Sequence, residues 1–271
     1  MLAKTFVLLA TLALASAGPV PRPGGCATSP AKPTLPTNGN GTYPHLHTLT
    51  LEAITNTLPK GVELPAPAED LVLKHIALGH GIQNYTCTGT NATAISATAT
   101  GALAALYDAM SLYPNQGPQA LSIDAFNSLT TNAVWGAKLP LTSDGVSKFG
   151  ASSASPFPTP GADLEMPGLK ALPFIGVHFF DATGVPTFKV GEDIFAGGKL
   201  NGTKAPTAAD VGPEKTGAVD WLRLGDKGAS KGITSIYRVV TAGGVAHACT
   251  IPGASDSVPY AAYYWMYGPK A

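Results

Sequence analysis

The sequence has little charge. Of its 271 residues only 13% are Asp, Glu, Lys or Arg, the two signs cancel to a formal net charge of zero, and arginine occurs only as Arg22, Arg223 and Arg238. Binding to nucleic acid or to an anionic membrane surface needs clustered Lys and Arg, so the composition argues against both partners. Cysteine is equally scarce: Cys26, Cys87 and Cys249 lie far apart. Neither a C-x-x-C nor an H-x-x-x-H spacing occurs, so no metal-ligand motif is predicted. After the N-terminal residues no apolar run is long enough to span a bilayer, and no fixed-period repeat is visible.

Turn formers, by contrast, are plentiful, with 31 glycines and 24 prolines. They predict many turns and few long helices. Lys4, the apolar run Phe6 to Ala15 and the small-residue site Ala15-Ser16-Ala17 have the order of an export signal. Residues 1–17 are therefore read as a signal peptide, 18–57 as a leader rich in Pro, Gly and Thr, and 58–271 as one β-rich domain. The destination is extracellular.

Strand-like runs dominate that domain. Leu71 to Leu78 and Ile82 to Thr88 read as two strands joined by a turn at Gly79 and Gly81. Leu103, Leu106, Tyr107 and Met110 recur at helical spacing, so Gly101 to Tyr113 is read as a short helix, with a strand ending at Tyr107-Asp108 as the alternative. Leu121 to Leu129 is a second short amphipathic stretch. Ser143 to Pro173 and Gly197 to Pro213 read as long loops. Phe174 to Asp181 and Pro186 to Val190 form a hairpin, and further strands follow at Val219 to Leu224, Ile233 to Thr241 and Val258 to Tyr267. The expected fold is mainly β: a single-domain sandwich or distorted barrel with long loops and one or two short helices.

In an oxidising compartment cysteines pair. Cys87 and Cys249 both follow strand-like runs and are paired on that ground, with Cys26 left as a competitor for either. Sequons at Asn40, Asn84, Asn91 and Asn201 offer glycosylation sites on an exported chain. Asn84 lies on the strand face opposite Cys87 and so is expected to point outward.

Two constellations are candidates for function. His178 shares a strand face with Phe180, while Asp181 falls on the other face, so the two form no local dyad on a flat strand. A pocket around His178, beneath the Ser143 to Pro173 loop and completed by Tyr85, Arg238 and Asp181, is the enzymatic expectation. The C-terminal strand is aromatic on both faces, Tyr260 and Tyr264 against Tyr263, Trp265 and Tyr267. That fits a strand between two packed layers; the functional alternative presents Trp265 outward for stacking on sugars.

The segments ALGHGIQNYTC (Ala77 to Cys87), GALAALYDA (Gly101 to Ala109), GVHFFDATGVPTF (Gly176 to Phe188), YRVVTAGGVAHAC (Tyr237 to Cys249) and VPYAAYYWMYG (Val258 to Gly268) together resemble a family of secreted fungal and bacterial proteins classed as a domain of unknown function. In that resemblance the YTC and HAC cysteines recur together, which favours the Cys87–Cys249 pair. The family implies no catalytic residues, although its members often carry a malate dehydrogenase label. The residues argue against that label. Gly79-His-Gly81 leads into YTCTGT rather than a helix, so no dinucleotide fingerprint is formed and no cofactor is expected. Three readings result: an extracellular or cell-wall protein binding glycan, an enzyme with a pocket at His178, and the dehydrogenase.

Overall fold

The computed structural model describes residues 33, 35, 36, 63–90 and 94–270. The signal peptide, nearly all of the leader, Cys26, Asn40 and Asn91 lie outside the described residues. Eight strands follow in order: β1 (Leu71–Thr88), β2 (Ser96–Asp108), β3 (Phe174–Phe180), β4 (Pro186–Val190), β5 (Asp193–Thr203), β6 (Trp221–Asp226), β7 (Ser235–Gly243) and β8 (Ser255–Pro269). Each pairs antiparallel with the next, and β8 returns to β1, so the sheet closes into a barrel. Closure satisfies both edges of every strand.

β1 makes the closure. Its 18 residues pair with β2 from Ala77 to Thr88 and with β8 from Leu71 to Thr86. The expected turn at Gly79 and Gly81 is therefore absent, and both glycines sit mid-strand. What they provide is close approach rather than a bend. A Cβ on Gly79 would lie 2.5 Å from the Tyr264 ring, and one on Gly81 would run into the Leu103 carbonyl. A G-x-G read as a hairpin is thus a packing device on a continuous strand.

The Gly101 to Tyr113 segment is likewise strand, not helix, up to Asp108; only Met110–Leu112 forms a 3-10 turn. On β2, Ala102, Ala104 and Leu106 face the lumen, while Ala105 and Tyr107 face an outer layer, and all five are buried. Apolar residues on both faces imitate a helical stripe, a case in which periodicity alone cannot decide. β5 also corrects the expected loop after Gly197, because it pairs with β6 as far as Thr203 opposite Trp221. Its glycines and threonine are partnered strand residues. The long Ser143 to Pro173 connection is a loop as expected, with isolated bridges at Ser143–Ala151 and Leu164–Leu172.

Burial forms two layers. Inside the barrel, Ala77, Leu106, Phe188, Phe195, Ile236, Tyr260, Tyr264 and Met266 pack together. Outside it, Ile76, Leu78, Tyr107, Tyr263 and Trp265 are covered by α1 (Ile123–Asn127), α2 (Leu129–Gly136) and loop residues Leu164, Met166 and Leu172. The helix pair starts where the Ser122 hydroxyl accepts from the Ala125 amide at 3.2 Å, an N-cap. Phe126 then stacks on Tyr263 with ring centroids 4.3 Å apart, and the Tyr263 hydroxyl donates to the Phe126 carbonyl at 2.6 Å. β8 is the strand between two packed layers. The Cys87–Cys249 disulfide ties the end of β1 to the β7–β8 connection across a sequence separation of 162. Closing so long a loop stabilises by about 2–4 kcal/mol in the chain-entropy picture.

Candidate functional site

An eight-stranded barrel has an interior that side chains just fill or that admits one small ligand. This barrel does both at different heights. Phe188, Phe195, Ile236 and Met266 fill one part. Beside the β3–β4 turn a cavity of about 280 Å³ remains. Its polar lining is Gln83 from β1, His178 from β3, Arg238 from β7 and Tyr264 from β8, with Lys199 of β5 and Lys227 after β6 exposed at its border. Phe180, Pro186, Leu222 and Leu224 supply an apolar wall. Alternation puts the strand residues there: apart from Lys227, each occupies an inward position of its strand.

His178 is only 3% exposed. Its Nδ1 lies 2.9 Å from the Thr187 carbonyl, which can only accept, so Nδ1 carries the proton and Nε2 presents a lone pair. Its ring stacks on Phe188 with centroids 3.8 Å apart. Burial pulls its pKa down to about 3, opposed by the Thr187 carbonyl and aided by the Arg238 charge. The imidazole is neutral at physiological pH and acts as a fixed hydrogen-bond acceptor.

Arg238 donates from Nε and Nη2 to the Asp220 carbonyl at 3.1 and 2.8 Å. It makes no ion pair among the described residues. Tyr260 and Tyr264 share a hydroxyl–hydroxyl bond of 2.7 Å in the lumen. Burial raises the pKa of both, and the Arg238 charge opposes the rise. Gln83 is 6% exposed, and its amide nitrogen is buried near the Tyr260 hydroxyl without a hydrogen bond of full geometry.

Of the residues singled out from the sequence, His178 and Arg238 meet at this cavity. Tyr85 points the same way as Gln83, but its hydroxyl donates to the Gly244 carbonyl at 2.6 Å and it does not line the cavity. Burial pushes its pKa up to about 12, with the Arg238 charge opposing. Asp181 stands apart from His178, as the strand faces require. Its Oδ1 accepts from the Thr183 amide at 2.8 Å, the Thr183 hydroxyl at 2.7 Å and the Val185 amide at 3.0 Å, which organises the β3–β4 turn. Those bonds, the Val185 amide first, hold its carboxyl below the usual range. Trp265 is no outward platform: it is fully buried in the outer layer, edge-on to Tyr113 at 5.3 Å. The Ser143 to Pro173 loop covers the outer layer and contributes nothing to the His178 cavity. Asn84 does face away from the lumen, where its Oδ1 accepts from Ser257 at 2.8 Å, and Asn201 is exposed on β5.

Gln83, Lys199 and Lys227 were not picked out from the sequence, and Tyr264 only as one of the C-terminal aromatics. A usable signal existed for Gln83, an amide at an inward position between Gly81 and Tyr85 in an otherwise apolar strand. The lysines had none, since only closure brings β5 and β6 beside β3. One further pattern, Gly228-Ala-Ser-Lys-Gly232, has the spacing of a nucleophile elbow. It lies in the turn between β6 and β7, with no helix after it. The Ser230 hydroxyl donates to the Ala196 carbonyl at 3.3 Å, and its amide bonds Asp226 Oδ1 at 3.1 Å. It is a turn, not an elbow.

Among known proteins, a family model described as "Protein of unknown function (DUF3455)" matches residues 67–268, from just before β1 to the end of β8. No curated protein and no solved structure matches significantly.

Proposed function

We propose that this chain, which belongs to the DUF3455 family of proteins of unknown function, is an exported binding protein that holds one small molecule in the mouth of its barrel. One observation carries the reading: the Arg238 charge faces the lumen with no carboxylate opposite it among the described residues, beside the neutral His178 and the buried Gln83 amide. Convergent polar groups on an apolar wall are what a small-ligand site requires. The Cys87–Cys249 bond and the signal-like N-terminus support export. Among the described residues no helix is long and apolar enough to cross a membrane.

The glycan reading narrows accordingly. A polysaccharide groove would need exposed aromatics in a row, and Tyr263, Trp265 and Tyr267 are buried. A single sugar-sized ligand in the lumen suits the cavity better. Catalysis draws less support. A histidine whose pKa is near 3 takes up no second proton near neutrality, its one N–H is held by the Thr187 carbonyl, and no carboxylate orients it. The dehydrogenase label draws none from Gly79 to Asn84, which run mid-strand between β2 and β8.

The test is a thermal-shift screen of sugars, sugar acids and small organic acids on the secreted protein and on Leu222→Trp, which fills the cavity mouth. A ligand that raises the melting temperature of the first and not of the second supports the reading. A ligand that stabilises both equally, or none at all across the panel, overturns it.

A further inference from the structure

We infer that the ligand of this cavity is a small hydroxylated carboxylate, a sugar acid being the model compound. The inference rests on the barrel-mouth reading and adds the chemistry.

The chain as a whole is neutral, yet Arg238 lines the cavity, Lys199 and Lys227 stand exposed at its border, and among the described residues no Asp or Glu lines it. The nearby carboxylates are committed elsewhere. Asp220 pairs with Lys204 at 3.1 Å, Asp181 holds the β3–β4 turn, and Asp226 holds the turn after β6 through the Gly228 and Ser230 amides at 2.9 and 3.1 Å. Neither Lys199 nor Lys227 has an ion-pair partner among the described residues. Low-dielectric walls focus such a field and favour an anion. A cationic ligand is repelled, and a neutral sugar leaves the half-buried Arg238 charge unmatched.

Hydrogen-bond polarity then adds a second requirement. His178 Nε2 is an acceptor, because the Thr187 carbonyl fixes the proton on Nδ1. It asks the ligand for a donor, and in an anion that donor is a hydroxyl. The Gln83 amide nitrogen asks for an acceptor. Finally Phe180, Leu222 and Leu224 offer surface to a carbon skeleton, which a bare inorganic anion does not have. An anionic head, at least one hydroxyl and a short carbon frame together describe a hydroxy acid.

The experiment is isothermal titration of the secreted protein with glucuronate and with glucose, which share the ring and differ in the carboxylate. Glucuronate is expected to bind at least about 10-fold more tightly, the scale of one charge-assisted hydrogen bond, and its affinity is expected to fall as salt rises. Arg238→Met is expected to weaken glucuronate about 10- to 100-fold, with Arg238→Lys intermediate, and the double variant Lys199→Ala/Lys227→Ala is expected to weaken it by a smaller factor without touching the fold. A disaccharide ending in glucuronate that binds as well as the free acid places the source at a glycan terminus; weaker binding places it among free acids. Glucose and glucuronate binding equally, both blocked by Leu222→Trp and both indifferent to Arg238→Met, would overturn the charge argument and leave the barrel-mouth site standing. Glucuronate binding that ignores Leu222→Trp as well would remove the site itself. No binding of glucuronate, gluconate or lactate at millimolar concentration overturns the inference.

Discussion

The two sides of the barrel face opposite surroundings. On the side made by β7, β8, β1 and β2 the outward residues Ile76, Leu78, Tyr107, Tyr263 and Trp265 are buried under the helices and the long loop. On the side made by β3 to β5 the wall is thinner. Lys189 is exposed and reaches over the ring of the half-buried Phe179 at 5.4 Å, and Leu200 is 59% exposed. Strands of the first side are apolar on both faces; β4, PTFKV, alternates. The cavity lies against the thin side, beside the β3–β4 turn and Lys199. The packed side holds Gln83, Arg238 and Tyr264 in place, and the cavity they line reaches the thin side at the β3–β4 turn and Lys199.

The sharpest break of this comparison is a pair of aromatic truncations. Trp265→Ala, which empties a fully buried position of the outer layer, is expected to cost about 3–5 kcal/mol. Phe179→Ala, on the thin side, is expected to cost less than about 1 kcal/mol, as surface changes do. Urea denaturation of the two variants measures both. Equal losses would mean that the two walls carry equal weight.

A smaller effect, taken for each residue singly, concerns the two buried histidines. His80 on the outer face of β1 packs beneath the α2 side, with Nδ1 3.2 Å from the Tyr260 carbonyl; His178 faces the lumen. Burial lowers the pKa of His80 to about 4 and that of His178 to about 3. Both stay neutral in the fold while the unfolded chain takes up protons below about 6.5. The unfolded state therefore binds more protons between pH 6.5 and about 4, and stability falls as the pH falls through that window. Each histidine contributes about 1.4 kcal/mol per pH unit at most. Denaturation at pH 7, 5.5 and 4.5 tests the slope. His80→Gln, which takes no proton, is expected to remove about half of it, and a stability unchanged from pH 7 to 4.5 would refute the account. The pair also shows that a depressed pKa marks burial, not function: His80 is sealed, and only His178 opens on a cavity.

How much of this was legible follows the same division. The hairpin of β3 and β4, the two-layered aromatic β8 and the Cys87–Cys249 bond were readable because alternation, turn residues and strand ends are local signals. Continuous β1 reads as a hairpin, and β2 stays open between a helix and a strand ending at Asp108, because both are buried on both faces, where glycine and alanine serve close packing and alternation disappears. His178 and Arg238 were readable as polar residues in apolar strands. Their meeting with Gln83, Tyr264 and two lysines was not, since it depends on the closure of eight strands into one lumen.

The smallest expected effect has the opposite sign tendency and concerns Arg238. Removing the guanidinium deletes two bonds to the Asp220 carbonyl, a loss of about 1 kcal/mol once water competes. It also relieves the desolvation of a half-buried charge that no carboxylate offsets, and Met fills much of the same volume. The two contributions nearly cancel, so Arg238→Met is expected to fold with a stability within about 1 kcal/mol of the parent, or above it. Such a result would identify Arg238 as a residue kept at the expense of stability, as a binding group is and a packing group is not. A loss above about 3 kcal/mol in the same denaturation experiment would make Arg238 a structural element of the β6–β7 wall.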